Sequence, residues 1–242
     1  MTPTGLPLLH EEEVDGVVAA VFVDIRARMP FVPALFKALA ADPEALVAAW
    51  LQARAIYDDP RAPAAADEIR WSAQVGIGYQ PSSRVRESVA PFATDLPFML
   101  LIVTSLQLSL SGELRLRPSP GLDLPAATPV PMPEFSDRAE HPLFAEICAV
   151  YGTQHLPSIF RTLAANGVLE EAWNALGPFL ASPEGATAID RVSQQASTEA
   201  QAMPEVASFD TKRAQPILDQ FSRALPRNLI LAVAASHQRP PD

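Results

Sequence analysis

The feature that most restricts what this chain can fold into is an internal repeat. Residues 32–41 read VPALFKALAA and residues 156–165 read LPSIFRTLAA, identical at five of ten positions. Val32/Leu156, Leu35/Ile159 and Lys37/Arg161 are close exchanges. Upstream, VFVDIRARMPF (21–31) faces LFAEICAVYGTQH (143–155), with two extra residues in the second copy. Downstream, Ala49-Trp50 faces Ala172-Trp173, and much later Leu96-Pro97 faces Leu225-Pro226, each followed by an apolar run. Four blocks that keep their order are a tandem duplication. Two copies of one unit fold alike and pack about an approximate twofold axis, so whatever the protein binds is expected between them.

Between the copies lie Pro118, Pro120, Pro125, Pro129, Pro131 and Pro133. That density forbids helix and favours an extended, stiff connector. Leu122, Leu124, Val130, Met132 and Phe135 give it apolar anchors, while a tether between independent domains is the competing reading. The boundaries are residues 1–116 for the first helical repeat, 117–142 for the Pro-rich linker and 143–242 for the second repeat, together one pseudo-dimeric unit.

Each copy reads as helices, so the expected fold class is all-α. Val14, Val17, Val18, Val21, Phe22 and Ile25 recur at three- and four-residue spacing, which predicts an amphipathic helix over 14–28. Pro33 suits the first turn of the next helix, where a missing N–H costs nothing. Asp42-Pro43-Glu44 is a cap followed by proline at N1, and Ser182-Pro183-Glu184 repeats the device. Residues 106–117 alternate strictly around Ser111-Gly112, a hairpin signature, whereas their repeat-mate reads as helix. The expectation is helix over 97–109 with a frayed end, and the hairpin is the alternative.

Charge excludes some functions. With 18 basic and 28 acidic residues the chain carries −10, which opposes binding to nucleic acid and to anionic membrane. The first residues have no basic stretch before an apolar one, and the apolar stretch 97–110 is short for a bilayer span. Cys148 is the only cysteine, so no internal disulfide forms. Its mid-helix setting reads as a buried, inert thiol. A cytoplasmic protein is expected. His10, His141, His155 and His237 lack metal-ligand spacing, Gly76-Ile77-Gly78 lacks a third glycine and a strand, and no nucleophile elbow is present. No cofactor and no metal are expected.

The duplication, the Pro-rich connector, the recurrence of PFVPALFKALA as LPSIFRTLA and the tryptophan after each copy's Val/Leu-Pro resemble the group I (DehI-type) 2-haloacid dehalogenases. The resemblance covers nearly the whole chain. It implies a pocket between the repeats and hydrolysis without a covalent enzyme ester, with an aspartate activating water. It places that aspartate after a serine at the start of the helix that here begins Leu156-Pro157-Ser158. Ser158 matches the serine, but the next residue is Ile159, which cannot accept a proton from water. The asparagine that positions water in the family has no match in residues 92–97.

A duplication also supplies an internal control. Positions needed only for packing stay alike in both copies, so a position polar in one and apolar in the other marks a candidate site. His155 faces Phe31, Ser158 faces Ala34 and Asp95 faces Ala224, while Tyr151 falls in the stretch with the insertion. His155 and Asp95 are the catalytic candidates. Imidazole titrates near neutral pH, so His155 suits a base or proton shuttle; a partly buried histidine before a helix is the plainer reading. Asp95 is read first as an N-cap ahead of Pro97, with a base or an orienter for His155 as the alternative. Ser158, Tyr151, Phe31, Ile159, Trp50 and Trp173 are the substrate-contact candidates. The plain reading of Ser158 is a first-turn hydroxyl on helix N–H groups, and recurrence of both tryptophans favours a core role over ligand stacking. Unpaired N–H groups at the helices beginning at Pro33 and Pro157 suit a carboxylate, so a small anionic ligand is expected. Self-association into a homodimer stays open. The function expected is an enzyme on a small, 2-substituted carboxylic acid using hydrolytic or acid–base chemistry; the alternative is a non-catalytic binding or structural relative that has lost the base.

Overall fold

Capping chemistry sets the helix starts. Asp42 Oδ1 accepts from the backbone N–H of Ala45 at 3.2 Å, and Ser182 Oγ accepts from Gly185 at 3.0 Å. Each cap stands directly before a proline at the first helical position, where no donor is lost. The computed structural model describes residues 8–29, 31–111, 141–153, 155–203 and 213–236. The expected Pro-rich connector lies almost wholly outside them, as do His237 and residues 112–117 of the alternating segment.

Among the described residues the chain is helical and has no strand. After a short 3-10 turn (Glu11–Glu13), the first half carries α1 (Gly16–Arg26), α2 (Ala34–Leu39), α3 (Pro43–Tyr57), α4 (Ala62–Ser72) and α5 (Ser83–Ser111). The second half carries α6 (Leu143–Tyr151), α7 (Ser158–Ala165), α8 (Leu169–Leu180), α9 (Pro183–Ala202) and α10 (Gln215–Ser236). Gly152, at φ 61°, closes α6 in the left-handed conformation that a side chain resists.

The expected helix over 97–109 is present as part of α5, which runs unbroken to Ser111, so the hairpin alternative does not hold over residues 106–111. Leu106, Leu108 and the apolar residues before them are buried, and burial on nearly all sides removes the helical period that would have outvoted the alternation. Nor does a helix start near Pro97. Pro91 and Pro97 both lie inside α5, which makes Asp95 a mid-helix residue and not a cap. Pro97 has no N–H for the carbonyl of Ala93, four residues earlier. Arg70 Nε donates to that carbonyl instead at 3.0 Å, while Asp67 binds the same guanidinium.

The longest helices of the two halves, α5 and α10, make the most extensive contact in the molecule. α9 packs on α4 and α5, α2 reaches α10, and α7 reaches α5. One continuous apolar core results, with residues from both halves. By length and composition α5 is the one helix among the described residues able to cross a membrane, but 61% of its most apolar stretch is buried inside the protein, as in a core helix.

Trp50 and Trp173 are fully enclosed. Each ring meets a phenylalanine edge-on: Phe36 with Trp50 at 5.4 Å and Phe160 with Trp173 at 5.6 Å. Each indole N–H donates to a carboxylate on the helix that opens its half, Asp24 for Trp50 and Glu146 for Trp173, both at 2.8 Å. Asp24 is buried and also paired with Arg28 and Arg54. Cys148 is partly exposed rather than buried, and burial still pushes its thiol up, opposed by Arg161.

Candidate active site

Where α5 and α10 face each other, the starts of α2 and α7 close a cavity of about 70 Å³. On that measure one water needs roughly 10–15 Å³, so the space suits a molecule of a few heavy atoms. α5 contributes Phe92, Asp95, Leu96 and Met99; α10 contributes Gln220, Phe221, Ala224, Leu225 and Asn228. Phe31, Pro33, Ala34 and Leu35 line it from the approach to α2, and Thr153, His155, Pro157, Ser158 and Ile159 from the approach to α7. Phe31 and His155, Ala34 and Ser158, Asp95 and Ala224 therefore all face one space.

Asp95 is half-buried, and burial alone shifts its carboxyl upward; no cation or donor among the described residues lowers it. Its charge reaches Tyr57, whose phenol is pushed up by burial and then by Asp95. Tyr57 is itself stacked on Phe98 at 5.3 Å. A carboxylate partly withdrawn from water and without a compensating cation is a proton acceptor made stronger by its surroundings.

His155 is set by the turn before α7. Its N–H donates to Thr153 Oγ1 at 3.0 Å, the Thr153 hydroxyl donates to its carbonyl at 2.7 Å, and its ring meets Phe221 at 6.4 Å. Ser158 is exposed although it lines the cavity, which puts it at the mouth. Ile159 is 1% exposed and forms part of the inner wall.

Three candidates do not reach the cavity. Trp50 and Trp173 are committed to the core contacts above, and Tyr151 is buried against Phe160 at 5.3 Å with Arg227 over its ring. Both indole N–H groups are taken up by carboxylates, and the Tyr151 hydroxyl is buried in the protein interior.

Two lining residues went unnoticed in the sequence. Asn228 is 5% exposed, and its Oδ1 is buried with no hydrogen-bond partner among the described residues; Gln220 Oε1 is in the same condition two turns earlier on α10. A buried amide oxygen left unpaired costs roughly 1–3 kcal/mol.

Electrostatics decide what the cavity favours. Among the described residues no lysine or arginine lines it. Two like unit charges about 5 Å apart repel by roughly 3 kcal/mol at an effective dielectric near 20. A helix start returns about 0.3–1 kcal/mol. With Asp95 ionised, a bound anion is therefore opposed more strongly than the α7 start attracts it. Among the described residues no cluster of three His, Cys, Asp or Glu side chains is placed to hold a metal ion.

No protein-family model matches the chain, and no curated protein matches it. Solved structures do. The crystal structure of a D-2-haloacid dehalogenase mutant aligns with a TM-score of 0.75 at 18% identity, over 95% of this chain and 94% of its own. The complex of a D-2-haloacid dehalogenase mutant with D-2-CPA gives 0.74 at 16%, over 96% of each chain. The complex of D-2-haloacid dehalogenase with L-LA gives 0.67 at 18%, over 96% and 93%. Over the aligned length the chain thus has the all-helical fold of these D-2-haloacid dehalogenase structures. Identity this low carries the fold and not the activity.

Proposed function

We propose that this protein is a hydrolytic enzyme on the D-2-haloacid dehalogenase scaffold, acting on a small 2-substituted acid or an acyl derivative of one, with Asp95 as the base. The observation that carries it is the Asp95 carboxyl, without a partner among the described residues and shifted upward by burial in a small, partly open cavity. Asp95 takes a proton from water, the water oxygen bonds to the substrate carbon, and the leaving group departs with the bonding pair. His155, on the facing wall, supplies or relays protons. The base has moved to α5, since Ile159 holds the α7 position that the family resemblance assigns to it.

The reading includes an internal duplication, with the cavity on its approximate twofold axis. Supporting it, α1–α5 and α6–α10 follow one another in matching order, and the Trp–Phe–carboxylate arrangement occurs in each half. In the register that pairs Leu96-Pro97 with Leu225-Pro226, Phe92 matches Phe221 and Met99 matches Asn228, all four lining the one cavity.

The test is halide release from 2-chloropropionate and 2-chloropropionamide. Wild-type protein is expected to release chloride from at least one of them above the uncatalysed rate. Asp95→Asn is expected to lower that rate by about 10²–10⁴, the usual worth of a positioned base. An undiminished rate in a folded Asp95→Asn protein overturns the assignment.

A second reading, a binding protein without catalysis, is favoured by one observation: the wall at the start of α7 is a buried isoleucine. On that reading the cavity binds a compound of the panel and turns over none.

A further inference from the structure

The cavity sets a single acid among hydrocarbon, and that combination narrows what it can hold. This step rests on the cavity being the ligand site and not on catalysis. Among the described residues that line it, Asp95 is the one carboxylate, and neither lysine nor arginine stands with it. Among those residues nothing pairs with the Asp95 carboxyl. Most of the remaining wall is apolar, with Leu96, Met99 and Leu225 beside three phenyl rings. The rings come from three directions: Phe31 from the approach to α2, Phe92 from α5 and Phe221 from α10.

A carboxylate ligand brings a like charge to Asp95. An alcohol fills the apolar space and donates one hydrogen bond, but supplies no counter-charge. An alkylammonium does both: its N–H groups donate to the carboxylate as charge-assisted bonds, and its chain lies on the apolar wall. Phenyl rings also attract a cation, which aliphatic walls do not. The start of α7 opposes it, but a helix end carries only about half a charge against the full charge of Asp95. We infer that the cavity takes a small alkylammonium ion, with Asp95 as its counter-ion and Phe31, Phe92 and Phe221 among the walls that hold its chain. An ion seated there keeps water from the carboxylate, so in an active enzyme it is a competitive inhibitor.

Three probes of similar size test it by calorimetry at about pH 8, where an alkylamine is charged: propylammonium, 1-propanol and propionate. Propylammonium is expected to bind at least tenfold more tightly than either of the others. Asp95→Asn is expected to remove that advantage and leave 1-propanol unchanged. Ser158→Asp adds a second carboxylate at the mouth, on a helix start that suits it, and is expected to tighten propylammonium at least threefold; it keeps the test alive if Asp95→Asn fails to fold. Three results overturn the inference: 1-propanol or propionate binding as tightly as propylammonium, propylammonium affinity unchanged in a folded Asp95→Asn protein, or no gain in Ser158→Asp. Propylammonium binding through Asp95 with no chloride release from either 2-chloro compound sinks the enzymatic reading alone. Chloride release that depends on Asp95 and is untouched by propylammonium sinks only this one.

Discussion

Asp95 holds its proton more readily in the folded protein than in the unfolded chain, where the ordinary value is 3.8. The folded state therefore bears no penalty well below pH 3.8. The penalty grows as pH rises through that value and is complete once pH passes the raised folded value. Asp95→Asn removes it. Thermal unfolding should show the variant more stable than wild type near pH 7.5 and equal to it near pH 3, with about 2–4 °C for each kcal/mol relieved. A gain of the same size at both pH values would show that charge is not the cause. Destabilisation at pH 7.5 would show that Asp95 serves the fold. Such a cost retained at one residue fits a functional group better than a structural one.

The same residue shows how far the sequence could be read. Comparing the two copies drew attention to Asp95, His155 and Ser158 because each opposes an apolar partner, and all three line the cavity. Asn228 opposes Met99 in the same register but sits in an apolar helical run, where one amide passes as an ordinary core exception. That its oxygen lacks a partner is visible only in three dimensions. Trp50, Trp173 and Tyr151 stand outside the cavity lining, and the sequence could not place them, since a large aromatic residue is equally at home in core and site and its direction is not written in its identity.

At the level of elements, the cap-and-proline starts of α3 and α9 were legible because they depend on residues within one turn of each other. The course of α5 was legible only in part: helix over 97–109 was expected, but not its passage through Pro91 and Pro97. Two prolines and an alternating tail argue against helix locally, and what overrules them comes from afar: Arg70 on α4 satisfying the Ala93 carbonyl, and α10 burying the far flank. Close packing between elements gives a sharper test at the α8–α9 corner. A Cβ on Gly185 would stand 2.0 Å from the carbonyl oxygen of Phe179, a backbone atom that cannot swing aside. Gly185→Ala gains up to about 1 kcal/mol in helix propensity. Displacing the corner costs more, so the expected net loss is about 1–3 kcal/mol, as for other overpacked sites. The midpoint of urea unfolding measures it, and a midpoint that rises would mean the corner is looser than it stands here.

On the scale of the whole molecule, the question is whether the halves are domains or parts of one core. Apolar burial runs through both, and α5 against α10 is the largest helix contact. Polar ties cross at the margin. Glu171 accepts from the backbone and hydroxyl of Ser82, both at 2.8 Å, and from Tyr79 at 3.2 Å. Arg191 donates to the carbonyls of Ser72 and Gln74 at 2.8 and 2.9 Å. An isolated half would expose the inner faces of its long helix with nothing to cover them, and a unit of roughly 100 residues cannot lose that much of its burial and remain folded. Residues 1–116 and 143–242 expressed separately should therefore be insoluble or unfolded. Co-expressed as two polypeptides they should assemble one to one, because omitting the connector removes effective concentration and leaves the contact of α5 with α10 in place. Such a heterodimer should elute as one species, and its melting temperature should rise with protein concentration, as mass action requires. Two folded monomers that never associate would instead make this a chain of independent domains. They would also take the cavity away, since its walls come from both halves.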